Sequence, residues 1–275
     1  MNETTMTITM WWMQQFSAAL PVFGRNLGLL VAVPFFSQRG LPPQVAVGLA
    51  LFLTILVVSA MTPQLLPVPA GDEVMIDFLR VAAIFAGELL IGLAIGFVAR
   101  LAFAAVQLAG QVLELPMGLA LAGVLDPVQG YQIPLFGHFY YLLAAQVFFL
   151  SNGHLYLLQA LLDSFYLVPP GTAAIGEALG QTVIKAFGWM FVTGVKIALP
   201  VVMAILITDL ALGVAMRVVP QFNIFMVGFT LKIAVGFLAA ALSIAAMVSY
   251  VSDIFSGRGD YIRQILEFIA GWQGR

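Results

Sequence analysis

The sequence has no cysteine, 2 histidines and only 9% charged residues, without a block of like charge. The absence of cysteine excludes disulfides, thiol catalysis and thiolate metal sites. Neither His138 nor His154 is accompanied by a paired carboxylate, so we expect no metal site. Because the formal net charge is −2 and no basic run is present, we expect no binding to nucleic acid.

The short motifs of the common enzyme classes are also missing. The chain contains no Walker A loop, no G-x-G-x-x-G, no G-x-S-x-G elbow and no H-E-x-x-H zinc motif. The acidic residues of the apolar parts are widely scattered, which leaves no pair for intramembrane aspartyl proteolysis. We therefore expect no enzymatic activity, no catalytic residue and no cofactor.

Apolar residues dominate what is present. They make up 62% of the chain, against about 45–50% in soluble domains, and the mean hydropathy is +1.04. The alternation of a membrane barrel strand is absent, so the sequence predicts an all-α, polytopic membrane protein forming a single unit. The polar N-terminal stretch lacks the basic region of a secretory signal, and we expect it to be retained.

The apolar residues fall into six segments punctuated by prolines, which predict helix ends and kinks. A span needs about 20 residues, so the second segment is near the minimum, while the third and fifth are too long for one simple crossing. The few charges leave the membrane orientation open. The segments cover approximately residues 10–36, 44–61, 74–108, 136–162, 181–216 and 222–251.

Ionisable side chains inside these segments are candidates for structural or interface roles. Each costs roughly 2.5–3.5 kcal/mol in hydrocarbon, so protein, an opposite charge or water must surround it. We expect Arg25 to be buried against another subunit; the alternative is an arginine that snorkels from a tilted helix. The other candidates are Glu88, Arg100, Lys185, Lys196, Asp209, Arg217 and Lys232.

The third segment carries Glu88, Gly92, Gly96 and Arg100 at intervals of four residues, which places them along one helix face. Glycines at this spacing allow two helices to approach closely. The favoured interpretation is a packing seam with two structural charges, and the alternative is a transport pathway along the same face.

Residues 109–134 are apolar but interrupted by glycines and prolines. Such a stretch is too punctuated for a plain helix and too apolar for a solvent loop. Non-helical backbone is tolerated at membrane depth where it lines a cavity or is buried in protein. We therefore predict a pore-constricting or re-entrant element here, with a short interfacial hairpin as the alternative.

A second break, at residues 219–223, separates the last two apolar segments. Asp209, Arg217 and Lys232 lie on either side of it. We expect these three charges to hold the last two helices to each other or to a partner.

These residues together resemble the FliR-type subunit of the flagellar type III export gate, whose injectisome counterpart is SctT. The resemblance covers nearly the whole chain. Its most specific residues are Asp209-Leu210-Ala211-Leu212-Gly213, Arg217, Pro220-Gln221, Asn223-Ile224-Phe225, Gly228 and Lys232-Ile233. Supporting matches are Arg25, Ala109-Gly110-Gln111, Met117-Gly118, Asp126-Pro127, Asn152-Gly153-His154-Leu155, Ser164-Phe165, Pro169 and Gly171.

The resemblance implies kinked helical hairpins in which a FliP-like part, about residues 1–215, is fused to a FliQ-like part toward the C-terminus. It implies assembly with FliP and FliQ, and contact with FlhB and FlhA, around a channel for unfolded flagellar proteins. It also implies lipid neighbours in the bacterial inner membrane, at the flagellar basal body. Alternatives are an injectisome gate subunit, a multipass secondary transporter and a structural assembly factor.

The family's loop that plugs the closed channel corresponds, by this resemblance, to Gly110–Leu121. Here Leu115-Pro116 precede Met117, where the family usually has glutamine. The plug residues are Gly110, Gln111, Glu114, Pro116, Met117, Gly118, Leu119 and Leu121. Structural or interface roles are further expected for Asp126, Pro220, Gln221, Asn223 and Phe225.

Overall fold

The computed structural model describes residues 19–34, 42–60, 74–119, 134–172, 177–218 and 224–255, which form helices and turns. The helices are α1 (Ala19–Ala32), α2 (Pro43–Ala60), α3 (Val74–Met117), α4 (Leu135–Leu150), α5 (Gly153–Leu167), α6 (Glu177–Val218) and α7 (Ile224–Phe255). The predicted all-α class is confirmed.

Three helices of the described ranges are long and apolar enough to cross a membrane. They are parts of α3, α6 and α7, and the broken pair α4 and α5 would add a fourth span. With 44 and 42 residues, α3 and α6 are about 66 and 63 Å long, roughly twice the thickness of the hydrocarbon core. The prediction that these two segments exceed one simple crossing is confirmed.

The fourth apolar segment is not one continuous helix. Asn152 has a φ of 58°, in the left-handed region, and separates α4 from α5. The amide of Ser151 donates to the Val147 carbonyl at 2.8 Å and closes the last turn of α4. His154 is the second residue of α5, and its ring packs beside Phe149.

The chain divides into two compact units. Among the described residues, unit 1 contains those up to Arg100 and those within Leu155–Ile184, and unit 2 contains those within Leu101–His154 and from Lys185 onward. Two of the boundaries between the units lie within a helix: one follows Arg100 in α3, and the other follows Ile184 in α6. The FliP-like and FliQ-like boundary near residue 215 stays a prediction.

A glycine seam joins α1 to α3 in unit 1. A Cβ atom at Gly96 would lie 2.6 Å from the Leu29 carbonyl oxygen, and one at Gly92 would lie 2.8 Å from the Arg25 carbonyl carbon. Real Cβ atoms do not come this close, so only glycine permits this backbone approach. The predicted packing seam is confirmed, although Arg100, expected on the same face, is exposed.

Aromatic and hydroxyl side chains hold unit 2 together. The ring of Phe103 on α3 lies 5.4 Å from the ring of Phe148 on α4 and 5.4 Å from that of Phe255 on α7. The hydroxyl groups of Tyr140 and Ser243 are 2.8 Å apart, which gives the buried phenol of α4 a partner on α7. Buried hydroxyl groups require such partners, so these contacts also fix the helix register.

The glycine seam yields a paired test. Gly92→Ala is expected to destabilise the detergent-solubilised chain by about 1–3 kcal/mol, because the new methyl group overpacks the α1 backbone. Gly48→Ala is the matched control, since nothing lies within 4 Å of a Cβ at this exposed position of α2. It should be neutral or stabilise by about 0.5–1 kcal/mol. Equal shifts in thermal unfolding for both variants would contradict the seam.

Candidate functional site

A fully buried ion pair lies at the centre of unit 1. Arg25 on α1 and Glu88 on α3 are both inaccessible to solvent. The Nε and Nη2 atoms of Arg25 each lie 2.6 Å from Oε2 of Glu88. Both nitrogens contact the same carboxylate oxygen, and hydrogen bonds between two ionised groups are short and strong.

The remaining groups of the ion pair bind the C-terminal end of α5. Nη1 of Arg25 donates to the Ser164 carbonyl at 2.8 Å, and Nη2 donates to the Val168 carbonyl at 2.9 Å. The second carboxylate oxygen of Glu88 accepts the Gly171 amide at 2.9 Å. The Ser164 carbonyl also accepts the Val168 amide at 2.9 Å, so Arg25 adds a charged donor to carbonyl groups at the C-terminal end of α5.

The Phe165 ring covers the guanidinium of Arg25, with Cζ 4.3 Å from the ring centroid. Neither sequence-based expectation for Arg25 holds: it does not snorkel, and its partners belong to its own chain rather than to another subunit. The physical reason is that Glu88, 63 residues away, supplies the opposite charge inside unit 1. α1 packs along the face of α3 that carries Glu88, Gly92 and Gly96, which supports the packing seam over the transport pathway.

The segment predicted as a plug loop is helical over most of its length. Gly110 to Met117 form the last turns of α3, so the prediction of a loop is wrong for these residues. Gly110 serves close packing instead, because a Cβ atom there would lie 2.6 Å from the Cα atom of Gly137 on α4. Pro116 lies in the final turn, where its missing amide removes only one hydrogen bond near the helix end.

Gly118 ends α3 in the left-handed conformation, with a φ of 80°. Its amide donates to the Leu115 carbonyl at 3.1 Å, and the Leu119 amide donates to the Glu114 carbonyl at 3.2 Å. This pair of bonds is a Schellman motif, which explains the glycine at position 118. Met117 is fully buried and packs against Gly236 of α7.

The side chain of Glu114 binds the N-terminus of α4. Its Oε1 atom accepts the amides of Phe136, in a short hydrogen bond, and Gly137, at 3.3 Å. Pro134 provides no side-chain cap for these amides. A carboxylate beside the N-terminus of a helix is favoured by the helix dipole.

A second ion pair connects the last two helices. Nζ of Lys232 on α7 lies 2.5 Å from Oδ1 of Asp209 on α6. The two side chains are 29% and 38% exposed. The expectation that these charges hold the last two helices together is confirmed for this pair. Arg217 is exposed in the last turn of α6, where a cation suits the helix dipole.

The other predicted site residues are dispersed. Lys185 and Lys196 on α6 are exposed, and Gln111 is half-buried one turn before Glu114. Phe225 lies in the first turn of α7. The positions outside the described residues are Leu121, Asp126, Pro220, Gln221 and Asn223.

Sequence reasoning missed a neutral polar contact between α1 and α2. Asn26 is fully buried, and its Nδ2 atom donates to Oγ1 of Thr54 at 3.0 Å. Thr54 in turn donates to the Ala50 carbonyl at 2.7 Å. The available signal was an asparagine directly beside Arg25 in an apolar segment.

The geometry and the composition together define the structural class of the protein. Long apolar helices make up the described residues, and these residues include no group of histidine and acidic side chains able to hold a metal ion. The molecule is a polytopic all-α membrane protein. Residues 16–257 match the family described as bacterial export proteins, family 1, and the chain belongs to this family.

Relatives extend over nearly the whole chain. The flagellar biosynthetic protein FliR of Escherichia coli K12 is 34% identical over 232 residues, which is 84% of this chain and 86% of that protein. FliR of Bacillus subtilis 168 is 33% identical over 257 residues, covering 92% and 96%. FliR of Aquifex aeolicus VF5 is 29% identical over 249 residues, covering 90% and 92%. The resemblance to the FliR family is confirmed.

The buried ion pair makes a quantitative prediction. Arg25→Leu leaves the Glu88 carboxylate buried without its partner and should destabilise the solubilised chain by about 3–5 kcal/mol. Glu88→Gln, which leaves the guanidinium unpaired, should act in the same direction.

Arg100→Leu is the control for Arg25→Leu, because it removes an exposed arginine from α3 and should change the free energy of unfolding by about 0.5 kcal/mol or less. Chemical denaturation followed by circular dichroism measures all three variants. Similar losses for Arg25→Leu and Arg100→Leu would contradict the importance of the ion pair.

Proposed function

We propose that this chain is a core subunit of the flagellar type III protein export gate. In this proposal it assembles with FliP and FliQ around a channel for unfolded flagellar proteins, with FlhB and FlhA as neighbours. The observation that carries the proposal is the family match over residues 16–257, together with relatives that are named flagellar biosynthetic protein FliR. The proposed location is the bacterial inner membrane, at the flagellar basal body.

Exposed apolar surface on α6 and α7 supports a role as one subunit of a larger assembly. Only 28% and 22% of their membrane-compatible windows are buried within the chain, compared with 61% for α3. Leu210 on α6 is 71% exposed and Leu242 on α7 is 75% exposed. Surfaces of this kind require lipid or a protein partner to cover them.

The ion pair between Asp209 and Lys232 bears on whether lipid or a protein partner contacts this surface. It is partly exposed on the same two helices, and hydrocarbon around a charged pair is costly. A protein partner or water on this side avoids that cost. The pair therefore supports contact with another subunit, or with an aqueous passage, over immersion in lipid.

Gating is proposed for the residues that end α3. We call residues 115–119 the α3 terminus. Gly110, Glu114 and Met117 are committed to packing within unit 2, whereas Leu115 is 71% exposed. Apolar side chains at a constriction hinder water and ions by dewetting, so the α3 terminus contributes an apolar surface to the closed gate. The chain then acts as part of a passage and not as a catalyst.

The injectisome gate subunit is the nearest alternative, because it would place the same kind of helices in the same kind of assembly. The names of the relatives favour the flagellar system. A secondary transporter differs more, since it would bind a small solute without other subunits.

The experiment that tests the proposal is native mass spectrometry of the chain extracted gently from its own membranes. The expected result is a defined complex that contains the FliP-type and FliQ-type proteins, because in this proposal other subunits cover the exposed faces of α6 and α7. Cells without the chain should neither export flagellin nor swim, and restoring the gene should restore both.

A monomer or homodimer that binds solute would point to the transporter instead. Normal flagella in cells without the chain, combined with loss of virulence-type secretion, would assign it to an injectisome. Each of these outcomes contradicts the flagellar proposal.

A further inference from the structure

One residue, Glu114, contacts both the end of α3 and the start of α4. Its backbone carbonyl accepts the Leu119 amide at 3.2 Å, just beyond the last residue of α3. Its side chain accepts the Phe136 amide in a short hydrogen bond and the Gly137 amide at 3.3 Å, in the first turn of α4. The same residue therefore fixes the point where the chain leaves α3 and the point where it enters α4.

We propose that Glu114 is a positioning residue that clamps the end of α3 to the start of α4 and thereby holds the α3 terminus in the closed position of the gate. The proposal rests on the gating function proposed above. Glu114 itself does not line the passage, because only 8% of it is exposed. It acts through the backbone of the residues that it binds.

The chemistry of the contact requires an acceptor at this position. The first amides of a helix have no carbonyl partner within the helix, and Pro134 offers no side-chain cap. Glu114 is the acceptor for two of them in a site from which water is almost excluded. Without it, both amides would be buried and unpaired, and the first turn of α4 would open more often.

Other contacts near Glu114 limit the structural effect of a substitution at this position. Met117 remains packed against Gly236 of α7, and Gly110 remains against the Phe136 carbonyl of α4. Further along α4, the Tyr140 hydroxyl still contacts Ser243. A substitution at position 114 should therefore loosen the junction of α3 and α4 without unfolding unit 2.

The first test is amide hydrogen exchange of the purified complex. Glu114→Leu has a similar volume and no acceptor, and should speed exchange of the Phe136 and Gly137 amides about tenfold or more. Glu114→Gln keeps one acceptor oxygen and should give a smaller increase. Asp253→Asn is the control, because it replaces an exposed acidic residue of unit 2 two positions before the end of α7.

The second test is the conductance of the assembled complex in a planar lipid bilayer. Glu114→Leu should raise the closed-state conductance several-fold, Glu114→Gln should raise it less, and Asp253→Asn should leave it unchanged. Leu119→Ser changes the α3 terminus directly and reports on the gate independently of the clamp.

The two tests separate the clamp from the gate. Unchanged exchange at Phe136 and Gly137 in Glu114→Leu would overturn the clamp, whatever the conductance. Glu114→Leu could instead show faster exchange but normal conductance, while Leu119→Ser raises the conductance. That result would overturn the role of the clamp in gating and leave the proposed gate intact. If neither Glu114→Leu nor Leu119→Ser leaks, the proposed gating function fails along with the clamp. If Glu114→Leu does not assemble, exchange and conductance of Glu114→Gln decide in the same way.

Discussion

The buried ion pair between Arg25 and Glu88 is the constraint on which unit 1 depends. Both side chains are removed from water, so neither is tolerable without the other. Their hydrogen bonds extend to the Ser164 and Val168 carbonyls and to the Gly171 amide, and so join α1, α3 and the end of α5. A buried, directional pair of this kind adds to the glycine seam in favouring one register of α1 on α3.

In unit 2, buried polar groups at helix ends are likewise paired with partners. The Glu114 carboxylate satisfies amides at the start of α4, and the left-handed Gly118 satisfies carbonyls at the end of α3. In both units, these buried polar groups are paired inside the protein. The outward faces of α6 and α7 are left largely apolar, as a membrane subunit with further partners requires.

Local sequence patterns predicted the features that depend on local physics. Hydropathy located the long helices, and the spacing of Gly92 and Gly96 predicted a close helix contact. The pairing of Arg25 with Glu88 could not be predicted, because no periodicity relates residues 63 positions apart. The loop predicted from Gly110 and Pro116 was wrong because tertiary packing outweighs helix propensity. Gly110 allows the backbone of α4 to pack closely against α3, and Pro116 lies in the last turn of the helix.

A cryo-electron-microscopy structure of the complex purified from the native membrane would test the central claim most directly. The account predicts a single assembly in which neighbouring export proteins cover the apolar faces of α6 and α7, while Arg25 and Glu88 remain paired within the chain. An isolated chain whose α6 and α7 contact only lipid or detergent would contradict it.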